Sequence, residues 1–269
     1  MAVSVNKNTR ELSDRVAVVT GASRGIGKAI AVALAEQGAA VGICARDERL
    51  LQATADEITG SGGRCVAIPC DVRSEESVHG FFKTMQAELG QTDILVNNAG
   101  VYRTEAVEDH SLPVWHEVIE TNLTGTLLFC RSVISQMKAK AWGRIINISS
   151  VSGRTGEIWG SAYSASKFGM IGLTQSLALE IAKHGVTVNA VCPGWVETEM
   201  SQEQLRDSEW CKLNGMDPNE AAQNACFSVP QERFIDPREV ADLVCYLSSH
   251  AARGITGQSI NVCGGLSLN

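Results

Sequence analysis

A tyrosine and a lysine stand four residues apart in a segment with a strongly helical pattern, so Tyr163 and Lys167 share one face of the predicted helix. An ammonium group beside a phenol favours the phenolate and lowers the phenol's pKa from about 10. A phenol tuned in this way is a useful general acid or base. Because such pairs are also common on helix surfaces, their chemical meaning depends on the residues around them.

Other polar residues follow predicted strands. Ser150 lies thirteen residues before Tyr163, at the end of an apolar run, and Asn98 lies at the end of another such run. Asn122 lies inside a long helical region, where asparagine is a poor choice by propensity alone. Since strand ends form the ligand crevice of doubly wound sheets, we expect these groups to meet there. Ser149 is chemically equal to Ser150, but the spacing to Tyr163 favours Ser150.

A glycine-rich turn at residues 20–27 separates the first predicted strand from the first predicted helix. Its spacing is Gly-x-x-x-Gly-x-Gly rather than the usual Gly-x-Gly-x-x-Gly. Such glycines permit a tight turn and let a pyrophosphate approach the backbone, while the helix N-terminus offers free N–H groups. A tight turn without a ligand is the alternative. The predicted cofactor residues of the turn are Gly21, Ser23, Arg24, Gly25, Ile26 and Gly27.

The residue after the second predicted strand favours NADP(H) over NAD(H). A NAD-binding protein places Asp or Glu there to accept the ribose 2′-hydroxyl, whereas this strand is followed by Arg46. Arg46 and Arg24 together supply two guanidinium groups suited to a 2′-phosphate. We interpret Asp47 and Glu48 as the N-cap and first turn of the next helix. Arg46 as a solvated loop residue is the alternative.

The elements that must position these residues alternate regularly along the chain. Short apolar runs rich in Val, Ile and Ala are followed by longer segments of helical period. Runs that are apolar throughout favour parallel strands buried on both faces. We therefore predict an α/β fold, a Rossmann-type doubly wound parallel sheet of about seven strands with helices on both faces. The predicted strands are 16–20, 39–45, 64–70, 94–96, 144–148, 186–191 and 259–262, and the main helices are 25–37, 47–59, 74–89, 113–139 and 162–183.

One segment breaks this alternation. Residues 201–234 are charged and too long for a plain connection, so we predict a helical insertion or lid there. The rest of the chain shows no linker or repeat, which favours a single nucleotide-binding domain over residues 1–269.

Composition excludes several classes of function. The net charge is −7 with no basic block, which argues against a nucleic-acid partner. No apolar run approaches the roughly 18 residues of a membrane span, and residues 1–14 lack the apolar segment of a signal peptide. Nine scattered cysteines without a Cys-x-x-Cys pair suggest reduced thiols rather than disulfides or a metal site. We therefore expect a cytoplasmic protein that does not associate with membranes and contains no metal.

Taken together, these motifs resemble the short-chain dehydrogenase/reductase family in its single-domain branch, over residues 12–265. The resemblance implies a catalytic tetrad of Asn122, Ser150, Tyr163 and Lys167. It also implies a homotetramer in which the regions 113–139 and 162–183 pack across an interface. Further cofactor contacts implied by the resemblance are Asp71, Val72, Asn98, Ala99, Gly100, Pro193, Gly194, Val196 and Thr198, together with Tyr163 and Lys167 themselves.

The implied mechanism is the reduction of a ketone by hydride transfer from NADPH. Ser150 would hold the developing oxyanion, and Tyr163 would donate the proton. Lys167 would lower the pKa of Tyr163 and hold the nicotinamide ribose. Asn122 would anchor a water that supplies protons to Lys167.

Closer likeness to 3-oxoacyl-thioester reductases and aromatic-polyketide ketoreductases suggests a substrate on an acyl carrier protein or coenzyme A. A free secondary alcohol, steroid or cyclic ketone as substrate of a NAD(P)-dependent dehydrogenase is the second possibility. A non-catalytic nucleotide sensor is the third, although sensors should lose the Tyr or Lys of the tetrad. The expected pocket residues are Tyr102, Ile158, Trp159, Met200 and Trp210, and the expected docking cations are Lys138, Lys140, Arg144, Lys183 and His184.

Overall fold

Seven parallel strands form one sheet in the computed structural model, which describes residues 11–269. The sheet order is β3-β2-β1-β4-β5-β6-β7, which confirms the predicted doubly wound architecture. Most of the N-terminal segment used to exclude a signal peptide lies outside the described residues. The strands are β1 (Val16–Thr20), β2 (Ala40–Ala45), β3 (Arg64–Pro69), β4 (Ile94–Asn97), β5 (Gly143–Ile148), β6 (Val186–Pro193) and β7 (Ser259–Val262).

Helices cover both faces of the sheet. Because successive residues of a strand point to opposite faces, the side chains on both faces are buried against helices. In β1, Val19 packs with helices α1, α2 and α10, whereas Val18 packs with α3, α5 and α6. This explains why the strands are apolar throughout. The helices are α1 (Gly25–Glu36), α2 (Glu48–Gly60), α3 (Glu75–Leu89), α4 (Leu112–Ile119), α5 (Gly125–Lys140), α6 (Ser161–Ile181), α7 (Glu199–Arg206), α8 (Ser208–Leu213), α9 (Ala221–Ser228) and α10 (Pro237–Ser248).

The order of the strands fixes the position of a crevice. After β3 at one edge, the chain crosses to the other side of β1 and forms β4, so connections leave β1 and β4 in opposite directions. Ligands of open α/β sheets bind outside the carboxyl ends of the strands at such a point. The glycine-rich turn follows β1, and Asn98 follows β4, so both border this crevice.

The long helical region predicted at 113–139 is divided. A π-helical turn, Glu120–Thr124, separates α4 from α5. Asn122 lies in this turn and is fully buried, and its carbonyl accepts the Thr126 hydroxyl at 2.8 Å. Single π-helical turns within α-helices occur often at functional sites.

The segment 201–234 is helical, as expected. Helices α7, α8 and α9 enclose a small apolar core of their own, which Trp195 and Phe234 complete from outside the helices. Aromatic edge contacts join this core, with the Trp195 and Trp210 ring centroids 6.1 Å apart. The segment therefore packs as a unit over the crevice end of β6.

No helix within residues 11–269 combines the length and apolar character needed to cross a membrane. The nine cysteines are all free thiols.

Candidate active site

A cleft of about 750 Å³ opens at the carboxyl ends of the strands. Every predicted cofactor residue lines it, from Gly21 in the glycine turn to Thr198 before α7. Ser150, Tyr163 and Lys167 line it as well. Asn122 lies behind the cleft wall. The predicted residues therefore lie together at the carboxyl ends of the strands, as expected for a parallel sheet.

Two glycines of the turn are required by close packing. Gly21 has φ +65°, and a Cβ there would lie 2.8 Å from the Ala99 Cα. A Cβ at Gly27 would lie 2.3 Å from the Gly21 carbonyl oxygen and from the Asn98 amide nitrogen. That amide donates to the carbonyls of Thr20 and Gly21 at 3.0 and 3.1 Å. Asn98 thus ties the glycine turn to the end of β4, and larger residues at these glycines would separate them.

The N-terminus of α1 differs from those of the neighbouring helices. Asp47 caps α2 by accepting from the Leu50 N–H at 2.9 Å, which confirms our interpretation of Asp47. Ser74 caps α3 in the same way. At α1 the N-cap residue is Arg24, and within residues 11–269 no side chain caps the helix. Its first N–H groups border the cleft and are suited to an anionic phosphate.

The two predicted ribose-site arginines have different surroundings. Arg46 is exposed at the end of β2, and no hydrogen bond or ion pair engages its side chain within the described residues. Arg24 instead contacts Glu199 of α7 at 2.6 Å and lies 4.0 Å from Glu203. Arg46 is therefore the guanidinium ready to meet an anion, while Arg24 is shared with α7.

A third arginine at this end was missed from the sequence. Arg73 grips the Asp71 carboxylate, with Nε 3.0 Å from Oδ1 and Nη2 2.7 Å from Oδ2. These hydrogen bonds hold the pKa of Asp71 below its usual range. In the sequence, Arg73 could have been noticed as a cation two positions after Asp71 at a strand end. Only the structure shows that Arg73 lines the cleft.

The pKa of Tyr163 does not follow our expectation. Burial raises the pKa of Tyr163, and a hydrogen bond with Ser150 offsets part of the rise. The Lys167 ammonium lies 5.5 Å from the Tyr163 ring centroid and donates to the Ile148 carbonyl at 2.8 Å. Desolvation of the phenol therefore outweighs the neighbouring cation. A phenol with a raised pKa is protonated at neutral pH and is ready to donate.

Lys167 is itself shifted. Burial lowers its pKa from 10.5 to about 8, because the charged form has lost its water. The ammonium is still mostly protonated at pH 7, but its charge is lost in a range that assays can reach.

The structure separates the two neighbouring serines. The Ser149 hydroxyl donates to the Lys167 carbonyl at 3.0 Å and thereby fastens β5 to α6. The Ser150 oxygen accepts from the Ser152 N–H at 3.1 Å and contacts the Tyr163 phenol. Ser149 is committed to the scaffold, so the geometry favours Ser150 as the serine that meets a substrate.

Asn122 supports the cleft from behind. Its side-chain oxygen accepts from the Val101 N–H at 2.8 Å, and its amide donates to the Val101 carbonyl and the Ser166 hydroxyl, each at 3.0 Å. Asn122 therefore connects the loop after β4 to α6 beside Lys167.

The pocket residues expected from the sequence divide into two groups. Tyr102, Met200 and Trp210 line the cleft, and the Tyr102 ring meets the Tyr163 ring edge-on at 5.0 Å. Ile158 and Trp159 do not line it. Ile158 is 59 % exposed, and the Trp159 indole donates to the Leu213 carbonyl at 2.8 Å. The backbone at Trp159 has φ +61°, which turns its side chain toward α8 rather than the cleft.

Glu157 and Gln204 are site residues that the sequence analysis did not single out. The Glu157 carboxylate accepts from the Tyr102 and Ser152 hydroxyls at 2.8 Å each and from the Gln204 amide at 3.3 Å. Glu157 directly precedes Ile158 and Trp159, two of the residues expected in the pocket. A charged residue in a loop gives no sign of its direction, so the sequence could not place it in the cleft.

One of the five expected docking cations is unavailable. Arg144 is 2 % exposed and donates to the Gly143 carbonyl at 2.8 Å, so it cannot meet an external partner. Lys140 contacts Asp93 at 2.8 Å, and Lys138 contacts Glu180 at 3.6 Å. The basic group on this surface is therefore smaller than the sequence suggested.

The arrangement fits a nicotinamide dinucleotide. One end of the cleft offers an uncapped helix N-terminus and the unengaged guanidinium of Arg46, which suit phosphates. The other end offers Tyr163, Ser150 and Lys167, which suit a carbonyl undergoing reduction.

Comparisons with known proteins agree with this geometry. The model of the short chain dehydrogenase family matches residues 15–209. A 3-oxoacyl-[acyl-carrier-protein] reductase of Vibrio cholerae serotype O1 is 42% identical, over 95% of this chain and 98% of that protein. A D-beta-hydroxybutyrate dehydrogenase of Rhizobium meliloti is 38% identical, over 93% and 98%. The crystal structure of a single-residue variant of an actinorhodin polyketide ketoreductase with NADPH superimposes with a TM-score of 0.90 at 40% identity, over 96% and 98% of the two chains.

Proposed function

The chain belongs to the short-chain dehydrogenase/reductase family of oxidoreductases, and from this premise we propose that it reduces a ketone to a secondary alcohol with NADPH. One observation carries the proposal. A protonated phenol, Tyr163, lies beside Ser150 and Lys167 at one end of a cleft whose other end is suited to a dinucleotide.

The cofactor would lie along the strand ends. The glycine turn and the N–H groups of α1 would hold the pyrophosphate, and Arg46 would bind the ribose 2′-phosphate. Lys167 would hold the nicotinamide ribose, and residues 193–198 would border the nicotinamide. When bound, NADPH supplies the hydride that reduces the carbonyl carbon.

The chain's own residues supply the proton and the charge stabilisation. Tyr163 donates the proton on its phenol oxygen to the carbonyl oxygen, and Ser150 donates a hydrogen bond to that oxygen as negative charge develops. Lys167 places a positive charge near the phenolate that remains. Asn122 acts behind the site by holding Val101 and Ser166, and its role in anchoring a proton-supplying water stays a prediction.

The proposed substrate is a 3-oxoacyl thioester or a polyketide, carried on an acyl carrier protein or coenzyme A. Two relatives, a 3-oxoacyl-[acyl-carrier-protein] reductase and a polyketide ketoreductase, support this class. A free secondary alcohol, steroid or cyclic ketone is the second candidate. The D-beta-hydroxybutyrate dehydrogenase among the relatives favours keeping it.

We also propose that α7, α8 and α9 act as a lid, that the protein works in the cytoplasm, and that it is a homotetramer. On α6, Leu179 is 86 % exposed whereas Leu177 and Ile181 are buried. Phe168 and Leu127 are also exposed on α6 and α5, which supports helix pairing between copies. A sedimentation mass near 28.7 kDa at micromolar concentration would contradict the tetramer.

The deciding experiment follows the absorbance of NADPH and of NADH with a panel of acetoacetyl thioesters, cyclic ketones and steroids. We expect ketone-dependent oxidation of NADPH, fastest with the thioesters. Oxidation of neither cofactor by any ketone would refute the function, and equal KM values for the two cofactors would refute the NADPH preference.

A further inference from the structure

Glu157 is the charged side chain at the substrate end of the cleft. We define this end by Tyr102, Ser152, Glu157, Gln204, Trp210 and Asn224, which line the cleft beyond Tyr163. The other charged lining residues are at the cofactor end, around the glycine turn, Arg46, Asp71 and Glu199, or belong to the catalytic group, as Lys167 does.

The carboxylate is held by neutral groups from three separate segments. Tyr102 follows β4, Ser152 follows β5, and Gln204 lies in α7, and each donates to a Glu157 oxygen. No ion pair within the part of the chain described by the structure includes Glu157. Its negative charge is therefore oriented but not neutralised.

The Glu157 backbone is fixed next to the catalytic tyrosine. Its N–H donates to the hydroxyl of Ser164, the residue after Tyr163, at 3.1 Å. The edge-on Tyr102 ring connects the carboxylate to the Tyr163 ring. The charge consequently acts where the substrate's reacting carbonyl would lie.

The Glu157 charge affects the pKa values of the two neighbouring phenols, Tyr102 and Tyr163. Burial is the main cause that raises the pKa of Tyr102 and of Tyr163, and the Glu157 carboxylate raises both further. A second negative charge is therefore unfavourable at this end of the cleft.

We propose that Glu157 is a specificity-determining residue that rejects 3-oxo acids with a free carboxylate and admits their neutral esters and thioesters. The inference rests on the proposed ketone reductase function. It assigns a chemical reason for a carrier-linked or esterified substrate: esterification removes the charge that Glu157 repels, since like charges brought together in a partly desolvated site are strongly disfavoured.

The test compares two substrates with one carbon skeleton, acetoacetate and its ethyl ester, under saturating NADPH at pH 7. We expect the parent protein to reduce the ester with the higher kcat/KM. Glu157→Gln should raise kcat/KM for acetoacetate about tenfold relative to kcat/KM for the ester, because removing one like charge favours the anion over the neutral substrate. Glu157→Ala, which does not depend on amide orientation, should shift the ratio in the same direction.

The matched control is Glu209→Gln, which removes one carboxylate from an exposed position of α8 away from the cleft. It should leave the ratio of the two substrates unchanged. NADPH binding, followed by its fluorescence, shows that each variant is folded.

The outcomes separate the two proposals. If the ester is reduced but the ratio is the same in parent, Glu157→Gln and Glu157→Ala, the charge inference is overturned and the ketone reductase stands. If no ketone of the wider panel is reduced by the parent, the proposed function is the one that fails, and the inference fails with it.

Discussion

The two ends of the cleft are built in different ways. At the cofactor end, the cleft is shaped mainly by the backbone at the strand ends. Close contacts at Gly21 and Gly27 leave room for no side chain there. At the substrate end, side chains from two loops and α7 converge on Glu157. The sheet positions the first end, whereas the second depends on hydrogen bonds between loop segments that can vary independently.

The ends also differ in charge. Arg24, Arg46 and Arg73 border the cofactor end, and among residues 11–269 only Arg46 of these three forms no side-chain hydrogen bond or ion pair. Within residues 11–269, the substrate end has one carboxylate, Glu157, that forms no ion pair. The difference suggests that the cofactor end attracts a strongly anionic ligand, while the substrate end selects a neutral one. The proposed catalytic group lies between the two ends, so changes there should have the largest effect on kcat.

The largest expected effect is at Tyr163. Tyr163→Phe removes the proton donor but keeps the ring that packs on Tyr102, and general acid catalysis typically contributes about 10²–10⁴-fold. We expect kcat to fall by about that factor, with little change in NADPH affinity, because the phenol is a minor part of the cofactor site. Steady-state kinetics and NADPH fluorescence titration measure the two quantities.

Two neighbouring serines provide a matched comparison for Tyr163→Phe. Ser150→Ala should lower kcat with the fold intact, whereas Ser149→Ala should lower it much less, because that hydroxyl is bonded to the Lys167 carbonyl. More than about a tenth of parental kcat in Tyr163→Phe, with chemistry shown to be rate-limiting, would remove Tyr163 from the role of general acid.

The second-largest expected effect is on the choice between NADPH and NADH, and it concerns Arg46 at the cofactor end. Arg46→Asp places a negative charge where the 2′-phosphate would bind, and one charge-assisted hydrogen bond contributes roughly 1.5–3 kcal/mol. We expect KM for NADPH to rise at least about tenfold while KM for NADH stays nearly constant. Equal losses with both cofactors would place Arg46 outside the ribose site. Arg49→Asp is the matched control, because Arg49 is exposed in the first turn of α2 and is not among the residues that line the cleft.

The smallest effect concerns pH. Because burial lowers the pKa of Lys167 to about 8, its charge is present below pH 8 and is lost as the pH rises through that value. We expect kcat/KM for NADPH-dependent reduction to fall severalfold with a midpoint near pH 8, rather than near the 10.5 of an exposed lysine. Lys167→Arg, which stays charged, should remove this midpoint from the profile even if its activity is lower. A flat parental profile up to about pH 9.5 would contradict the assignment.

Much of the cofactor end could be predicted because its signals are local. The glycine spacing, the apolar runs and the residue after each strand are all adjacent in sequence, and parallel strand ends meet at one edge. The same logic placed Ser150, Tyr163 and Lys167 in one cleft.

What could not be predicted depends on direction and environment. Arg144 was expected at the surface, but it lies within β5 beside other buried groups, and its guanidinium is satisfied by backbone carbonyls. Trp159 was expected in the pocket, but a left-handed backbone conformation turns it toward α8. The pKa of Tyr163 was expected to fall, but sequence spacing does not report how thoroughly a phenol is desolvated.

The π-helical turn at Glu120–Thr124 limits where this chain can lose a residue without disturbing the site. A π-helical turn holds one residue more than an α-helical turn, and each residue of an α-helix accounts for a rotation of about 100°. The turn therefore sets the rotational phase between α4 and α5, and with it the direction in which Asn122 faces. Loss of one residue here would restore a continuous α-helix and rotate one half relative to the other, which makes this stretch far less tolerant of deletion than the surface loops.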